Sequence, residues 1–248
     1  YLPSDTEIAE RKARGQGLTR PELAVLLSYS KIVVFNQLLD SDVPEDPFLS
    51  AELQRYFPEP LRERFAPNMQ RHRLKREIIA TAVTNSMVNR MGATFSLRMQ
   101  EDTGESAAQV AKAYSIARVL VDARDLWNGI DELDHVVPES VQLDALALIW
   151  TQVRGMTRWL LNLPGKTLDI AALVERYGAG IAALRSGLDK VLSEQDRRDY
   201  ADARARWLDE GFPQVIAEQL AAMPFLACAL DIVQVALEHG FDVLDVAS

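Results

Sequence analysis

Three polar side chains within an apolar stretch have the spacing of a binding surface. Thr81, Asn85 and Asn89 follow one another at intervals of four residues inside segment 68–95, and side chains four apart lie on one face of a helix. The same arc carries three apolar residues, Leu74, Ile78 and Ala82. We therefore expect the polar row to enter the interior, where its amides must be hydrogen-bonded. The favoured interpretation is a paired row that fixes helix register, and the alternative is a row that contacts a ligand.

A second pair of residues has metal-binding spacing. Glu132 and His135 stand three residues apart, as in helices that hold two iron ions between carboxylates. Such a site needs a second Glu-x-x-His pair and two further carboxylates. The other histidines, His72 and His239, have no glutamate at that spacing. We predict no metal site.

Neither of the common nucleotide-binding motifs is complete. Gly165, Lys166 and Thr167 match the end of a phosphate-binding loop, but the first glycine of that motif falls at Leu160 and no strand pattern precedes it. The dinucleotide-binding loop Gly-x-Gly-x-x-Gly does not occur in the sequence. We therefore predict no cofactor-binding residue in this segment.

The residues that could act as nucleophiles have no recognisable partners in the sequence. Cys228, the only cysteine, lies in a short apolar run and is interpreted as a core residue. The three histidines lie far apart, and no Gly-x-Ser-x-Gly motif of hydrolases is present. We predict no catalytic residue. A single cysteine also excludes an intrachain disulfide, which fits a reducing cytoplasm.

Residues 18–39 have the pattern of a DNA-binding helix-turn-helix, with residues 31–39 in the place of the recognition helix. That stretch is largely apolar and carries one positive charge, Lys31, whereas a recognition helix presents side chains that contact bases. The net charge of −9 is also divided unevenly, with +2 in residues 1–100 and −11 in residues 101–248. Because an acidic surface repels phosphates, we predict no nucleic-acid partner.

A local basic cluster in the first part is interpreted as a solvated face or as a contact for the acidic part. It comprises Arg62, Arg64, Arg71, Arg73, Lys75 and Arg76, relieved by Glu63 alone. No run of 18 apolar residues occurs, and the longest candidate, near the C-terminal end, is interrupted by Asp231. The sequence therefore predicts a soluble protein without a membrane partner.

The elements that would position these residues are helices. Capping signals, in which a serine or threonine precedes a glutamate or glutamine by three residues, mark three helix starts. They are Ser4 with Glu7, Thr19 with Glu22, and Ser106 with Gln109. Segment 68–95 has no proline and no glycine before Gly92, so it predicts one helix of about six turns, buried because it is apolar nearly all round. The highly charged segment 193–210 predicts an exposed helix that projects as a hairpin arm.

No two adjacent runs alternate apolar and polar residues with a period of two, so a sheet is not expected. The predicted fold is all-α, an irregular multi-helix bundle of eight to eleven helices in two lobes. The first lobe spans residues 1–136 around the central helix 68–95. The second lobe spans residues 137–248 and is expected to be truncated at its C-terminal end.

Several segments resemble the C-terminal helical region of bacterial large-subunit NAD-specific glutamate dehydrogenases. The resemblance is carried by residues 17–31, 72–81 and 89–95, and by the helix with Ala113 and Tyr114 that leads to Leu126 and Trp127. It is dense over residues 2–133 and looser beyond them.

The resemblance implies a parent enzyme that oxidises L-glutamate to 2-oxoglutarate and ammonium with reduction of NAD, in glutamate catabolism in the cytoplasm. The catalytic and NAD-binding motifs of that family lie in an upstream dehydrogenase domain, so no functional residue is transferred to this sequence. The segment itself is expected to be inactive, to serve scaffolding, assembly or regulation, and to be cut at both ends. Its expected partners are the upstream domain and further copies of the parent. The alternative is an autonomous helical adaptor that recruits a protein through the arm at 193–210.

Overall fold

The computed structural model describes residues 2–163 and 168–248. Every regular element in these ranges is a helix, so the all-α prediction is confirmed. The described residues form more helices than expected, because several predicted helices are divided. They are α1 (Asp5–Ala13), α2 (Arg20–Leu39), α3 (Ser50–Tyr56), α4 (Glu59–Arg62), α5 (Ala66–Gln70), α6 (Lys75–Met91), α7 (Phe95–Thr103), α8 (Ala107–Leu120), α9 (Ala123–Asp131), α10 (Glu139–Leu161), α11 (Ile170–Ser186), α12 (Leu188–Val191), α13 (Glu194–Asp209), α14 (Gln214–Ala222), α15 (Ala229–His239) and α16 (Val243–Ala247), with 3-10 helices at Val43–Glu45 and Met223–Leu226.

The chain divides into two compact units, residues 1–111 and 112–248. The boundary that the sequence suggested near residues 136–138 lies within the second unit. Each unit has buried apolar side chains of its own.

Helix α6 forms the centre of the first unit and packs against α2 and α3. Its arc of Ile79, Val83 and Met87 is at most 1% exposed, as an apolar stripe at helical spacing predicts. The remainder of its circumference is only partly covered: Ile78 is buried, but Leu74, just before α6, is 54% exposed, and Thr81 and Asn89 are exposed. The expectation that this helix is buried all round is therefore wrong.

The single helix predicted over residues 68–95 is three elements, α5, α6 and α7. The first break lies between α5 and α6, where the His72 Nδ1 atom accepts a hydrogen bond from the Leu74 backbone N–H at 3.2 Å. The ring thereby takes the place of a helical acceptor, a competition that periodicity does not reveal. The second break follows Gly92, whose φ of 100° ends α6.

In the second unit α10 packs against α9 and α14, and α11 packs against α15 and α16. Ala145, Ile149, Val153 and Leu160 form the buried stripe of α10. Within the apolar run 145–150, Ala147 is exposed. The run therefore follows the ordinary one-sided pattern of a surface helix.

Capping chemistry starts the predicted helices at the expected positions. At α1, the Glu7 backbone N–H donates to Ser4 and the Glu7 carboxylate accepts from the Ser4 N–H at 2.8 Å. At α8, the Gln109 N–H donates to the Ser106 hydroxyl at 3.3 Å.

The charged segment expected to project as an arm is α13, and it packs against α14. Its apolar stripe is covered, because Trp207 is 2% exposed and meets the Phe212 ring edge-on at 5.3 Å. Tyr200 meets Phe225 in the same manner, with the ring centroids 6.2 Å apart. The narrow stripe thus serves packing within the second unit.

Candidate functional site

Helix α2 is apolar on every side, yet little of it is buried. Of its twenty residues, Val34 and Leu38 are buried. The exposed apolar side chains include Tyr29 at 58%, and Ile32 and Val33 at 54% each. A helix that is apolar all round is normally a core helix. The described part of the chain therefore leaves a core-like helix mostly uncovered.

The helix-turn-helix interpretation is excluded by the same element. Residues 20–39 form one continuous helix without a turn, so residues 31–39 are not a separate recognition helix.

By length and composition, α2 is also the one helix in the described ranges that could cross a membrane alone, with 11% of its most apolar 18-residue window buried. The pair 214–226 and 229–239, bent by 68°, passes the same test together. Core helices of soluble proteins pass it too, so this property is weak support for a membrane segment.

The N-terminal end of α2 is fixed by Glu22. Its carboxylate accepts the Thr19 backbone N–H at 2.7 Å and two hydrogen bonds from Arg11 Nη1, at 2.8 and 3.0 Å. The bond from Arg11, followed by that from Thr19, lowers the pKa of Glu22 from 4.5 to about 2. Since Arg11 lies in α1, this ion pair holds the incoming chain against the start of α2.

The C-terminal end of α2 is fixed by Arg76 of α6. Its Nη2 atom donates to the carbonyl oxygens of Leu39 at 2.6 Å and Ser41 at 3.1 Å. Its Nη1 atom donates to Glu45 at 2.6 Å. The last carbonyls of α2 thus receive a cation, which favours the helix terminus. Arg76, a member of the predicted basic cluster, therefore stabilises the C-terminal end of α2.

An open groove of about 420 Å³ lies between α2 and α6. It is lined by Lys31, Ile32, Phe35, Asn36, Thr81, Thr84 and Asn85. Thr84 is 2% exposed, and its hydroxyl has no hydrogen-bond partner among the residues that the structure describes. Unpaired buried hydroxyls are uncommon in proteins, so the hydroxyl of Thr84 is an unusual feature of this groove.

The polar row singled out in the sequence lies at and beside this groove. Thr81 and Asn89 are exposed and Asn85 is half-buried, so the expectation of a buried, paired row is wrong. The arc assignment failed because α2 and α3 cover a different side of α6 from the one inferred. Thr81 and Asn85 line the groove, while Asn89 does not. Sequence reasoning missed Thr84, although its spacing of three residues from Thr81 places both on one face of a helix.

The other residues considered for chemistry are not brought together. Glu132 and His135 are both exposed, and the described ranges hold no group of three or more His, Cys, Asp or Glu side chains suited to a metal. Cys228 is exposed, so its assignment to the core is wrong: it precedes α15 at the surface. Gly165, Lys166 and Thr167 lie outside the described residues.

Polar contacts of the second unit join its helices. Gln152 Nε2 donates to the Leu226 carbonyl oxygen at 3.0 Å, and Trp159 Nε1 donates to Asp231 at 2.7 Å. Tyr177 donates to Gln234, and burial raises the pKa of that phenol. These bonds satisfy polar groups at helix contacts, and they bring together no nucleophile and base.

A family model described as glutamate dehydrogenase, C-terminal, matches residues 15–248. Relatives named NAD-specific glutamate dehydrogenase match almost the whole chain. The protein of Pseudomonas aeruginosa is 41% identical over all of the chain, that of Halomonas elongata 37% over 95%, and that of Mycobacterium tuberculosis 31% over 99%. The chain spans 15% of the length of each relative. The match over residues 15–248 and these identities place the chain in the glutamate dehydrogenase C-terminal family.

Proposed function

We propose that this chain acts as a non-catalytic helical domain of an NAD-specific glutamate dehydrogenase. That enzyme would oxidise L-glutamate to 2-oxoglutarate and ammonium while it reduces NAD. One observation carries the proposal: three relatives of that name match at least 95% of the chain, although the chain spans 15% of each. The segment thus has the position and size of one domain in a much longer enzyme.

The role of the domain is structural support and assembly rather than chemistry. The sequence has no dinucleotide-binding glycine loop, and Lys31 is the one titratable side chain that lines the groove between α2 and α6, so the groove has no acid–base pair for proton transfer. NAD and glutamate would be bound elsewhere in the enzyme. We place the enzyme in the cytoplasm as a homo-oligomer, with the dehydrogenase region of the same polypeptide as the first partner of this domain.

The adaptor alternative has no support from the relatives, all three of which are named as dehydrogenases. The segment 193–210, through which an adaptor would bind a partner, also has little apolar surface left, because the apolar stripe of α13 is packed against α14.

The proposal is tested by capture from extracts of the source cells with an antibody raised against this segment. We expect the captured polypeptide to be several times longer than 248 residues and to reduce NAD when L-glutamate is added. Omission of glutamate, or its replacement by D-glutamate, is the matched control and should abolish the signal.

A captured chain of about 248 residues, without glutamate-dependent NAD reduction, would overturn the proposal. The purified segment alone should be inactive in the same assay, and activity there would show that it carries the catalytic residues itself.

A further inference from the structure

We infer that the uncovered side of α2 is the surface on which the preceding, dehydrogenase region of the same polypeptide docks. This inference rests on the proposed function and adds the partner-facing surface. The surface is defined by Tyr29, Ile32 and Val33 on α2, with the groove beside them that Thr84 and Asn85 line.

The composition of this surface fits a protein interface. Between Glu22 and the end of α2 at Leu39, the one charged residue is Lys31, and the core of a protein interface is depleted of charge. Tyr29, the most exposed of the large apolar residues of α2, belongs to the residue types that dominate binding energy. Burial of these side chains would remove a large apolar area from water, which is favourable.

Two polar residues beside the exposed apolar side chains of α2, Ser28 and Ser30, do not oppose such burial. The Ser28 hydroxyl donates to the Ala24 carbonyl oxygen at 2.9 Å, and the Ser30 hydroxyl donates to the Leu26 carbonyl oxygen at 2.8 Å. Both hydroxyls are therefore already hydrogen-bonded within the helix, so docking need not leave them unpaired.

The same features disfavour a lipid surface as the occupant. A helix that lies on a membrane normally combines its apolar face with a face rich in lysine and arginine. The basic residues of α2 are Arg20 at its first position and Lys31, which lines the groove. Such a helix lacks the cationic face that would hold it at anionic headgroups.

The length of the relatives indicates which partner docks on this surface of α2. More than four fifths of each relative lies outside the matched region, and the family description places this domain at the C-terminal side of the enzyme. A region that precedes this domain would be joined to it ahead of α1, which has no buried residue and is held to α2 by Arg11 and Glu22. A covalently linked region has an effective concentration on the order of mM, which favours it over a second copy.

The test uses the full-length polypeptide with Tyr29 replaced by the photoreactive residue p-benzoylphenylalanine. Leu97 of α7, at 56% exposure an equally accessible apolar residue of the same unit, receives the same replacement as the control. After irradiation we expect cross-links from position 29 to peptides that precede this segment, at a yield about tenfold above position 97. A mixture of isotopically heavy and light polypeptides shows whether the joined peptides belong to one chain.

Ile32→Glu, introduced beside the photoreactive residue, should reduce that cross-link about tenfold, because an ionised carboxylate loses its hydration in a desolvated interface. Leu97→Glu should leave the yield unchanged. If Ile32→Glu lowers the helical content seen by circular dichroism, Ile32→Gln replaces it. Cross-links to a second copy, to lipid, or at no higher yield than position 97 would each overturn the inference.

Failure of this inference is distinguishable from failure of the proposed function. The cross-link does not depend on catalysis, whereas the capture assay measures glutamate-dependent NAD reduction. Cross-linking to the preceding region without activity would retain the docking surface and overturn the enzyme assignment. Activity without cross-linking would retain the enzyme assignment and overturn the docking surface.

Discussion

At the scale of single residues, the unpaired hydroxyl of Thr84 gives a direct prediction. Valine has nearly the shape of threonine, so Thr84→Val should remove an unsatisfied polar group and raise the free energy of unfolding by about 1 kcal/mol. Urea unfolding of the chain measures the change. Thr157→Val is the matched control, because Thr157 is equally buried but donates to the Val153 carbonyl oxygen at 2.7 Å. A lower stability of Thr84→Val would show that the hydroxyl has a partner.

A pH dependence follows from Glu22, whose pKa is lowered from 4.5 to about 2 by Arg11 and Thr19. A carboxylate with a depressed pKa in the folded state stabilises that state above its unfolded pKa, and this stabilisation is lost as the pH falls through the folded value. We therefore expect amide protons of α1 to exchange faster, relative to an unstructured reference, as the pH falls from about 4.5 towards 2.

Glu22→Gln should weaken that pH dependence and leave the part that comes from Glu7, whose pKa is also lowered by its hydrogen bonds with Ser4. Glu10→Gln, on the exposed side of α1, should preserve the whole dependence. An unchanged profile in Glu22→Gln would mean that another group holds α1.

The residue scale is also where the sequence was least informative. Cys228 and the row at Thr81 and Asn85 were assigned to the interior from local pattern, and the structure places Cys228 and Thr81 at the surface. A residue in an apolar stretch is buried only where another element covers it, and the covering element lies elsewhere in the chain. Periodicity identifies a helix face, but it does not say which neighbour that face meets.

At the scale of elements, two glycines of α11 give opposite predictions. A Cβ at Gly180 would lie 2.7 and 2.8 Å from the Val233 Cγ atoms of α15, whereas nothing lies within 4 Å of a Cβ at Gly178. Valine is stiff at χ1, so Val233 cannot easily move away from an added methyl group. The resulting overpacking should outweigh the gain in helix propensity, and Gly180→Ala should destabilise the protein by about 1 kcal/mol or more. Gly178→Ala should instead stabilise it by up to about 1 kcal/mol.

Thermal unfolding of the two variants measures the difference. Equal stabilisation by both substitutions would mean that α11 and α15 separate easily. Helix propensity alone treats the two glycines alike, and the difference between them arises from the approach of α15, which is a tertiary feature.

Helix starts were predictable where the signal is local. The pairs Ser4 with Glu7, Thr19 with Glu22 and Ser106 with Gln109 all act at helix starts in the structure. The break between α5 and α6 was not predictable, because it depends on the ring of His72 bonding to the backbone of Leu74. The composition of segment 68–95 predicted an uninterrupted helix, and it gave no sign of the hydrogen bond from this one side chain.

At the scale of the whole molecule, the all-α class followed from the sequence, and the family resemblance is shown by the match over residues 15–248. The uncovered state of α2 did not follow, because an apolar helix looks the same in sequence whether its cover belongs to this segment or to another part of the polypeptide. The structure distinguishes a covered from an uncovered helix, since Val34 and Leu38 are the residues of α2 that are buried within the described part of the chain.

That distinction leads to a prediction for the active enzyme. If α2 carries the contact with the dehydrogenase region, Ile32→Glu should lower the temperature of half-inactivation, because a charge in the contact weakens the support that the domain gives to the enzyme. The KM values for glutamate and NAD should stay unchanged, because the proposed function assigns the binding of both substrates to another region of the enzyme. Leu97→Glu, a charge at an equally exposed apolar residue, should change neither quantity. A higher KM without a lower inactivation temperature would instead place α2 at the substrate site and contradict a supporting role for the domain.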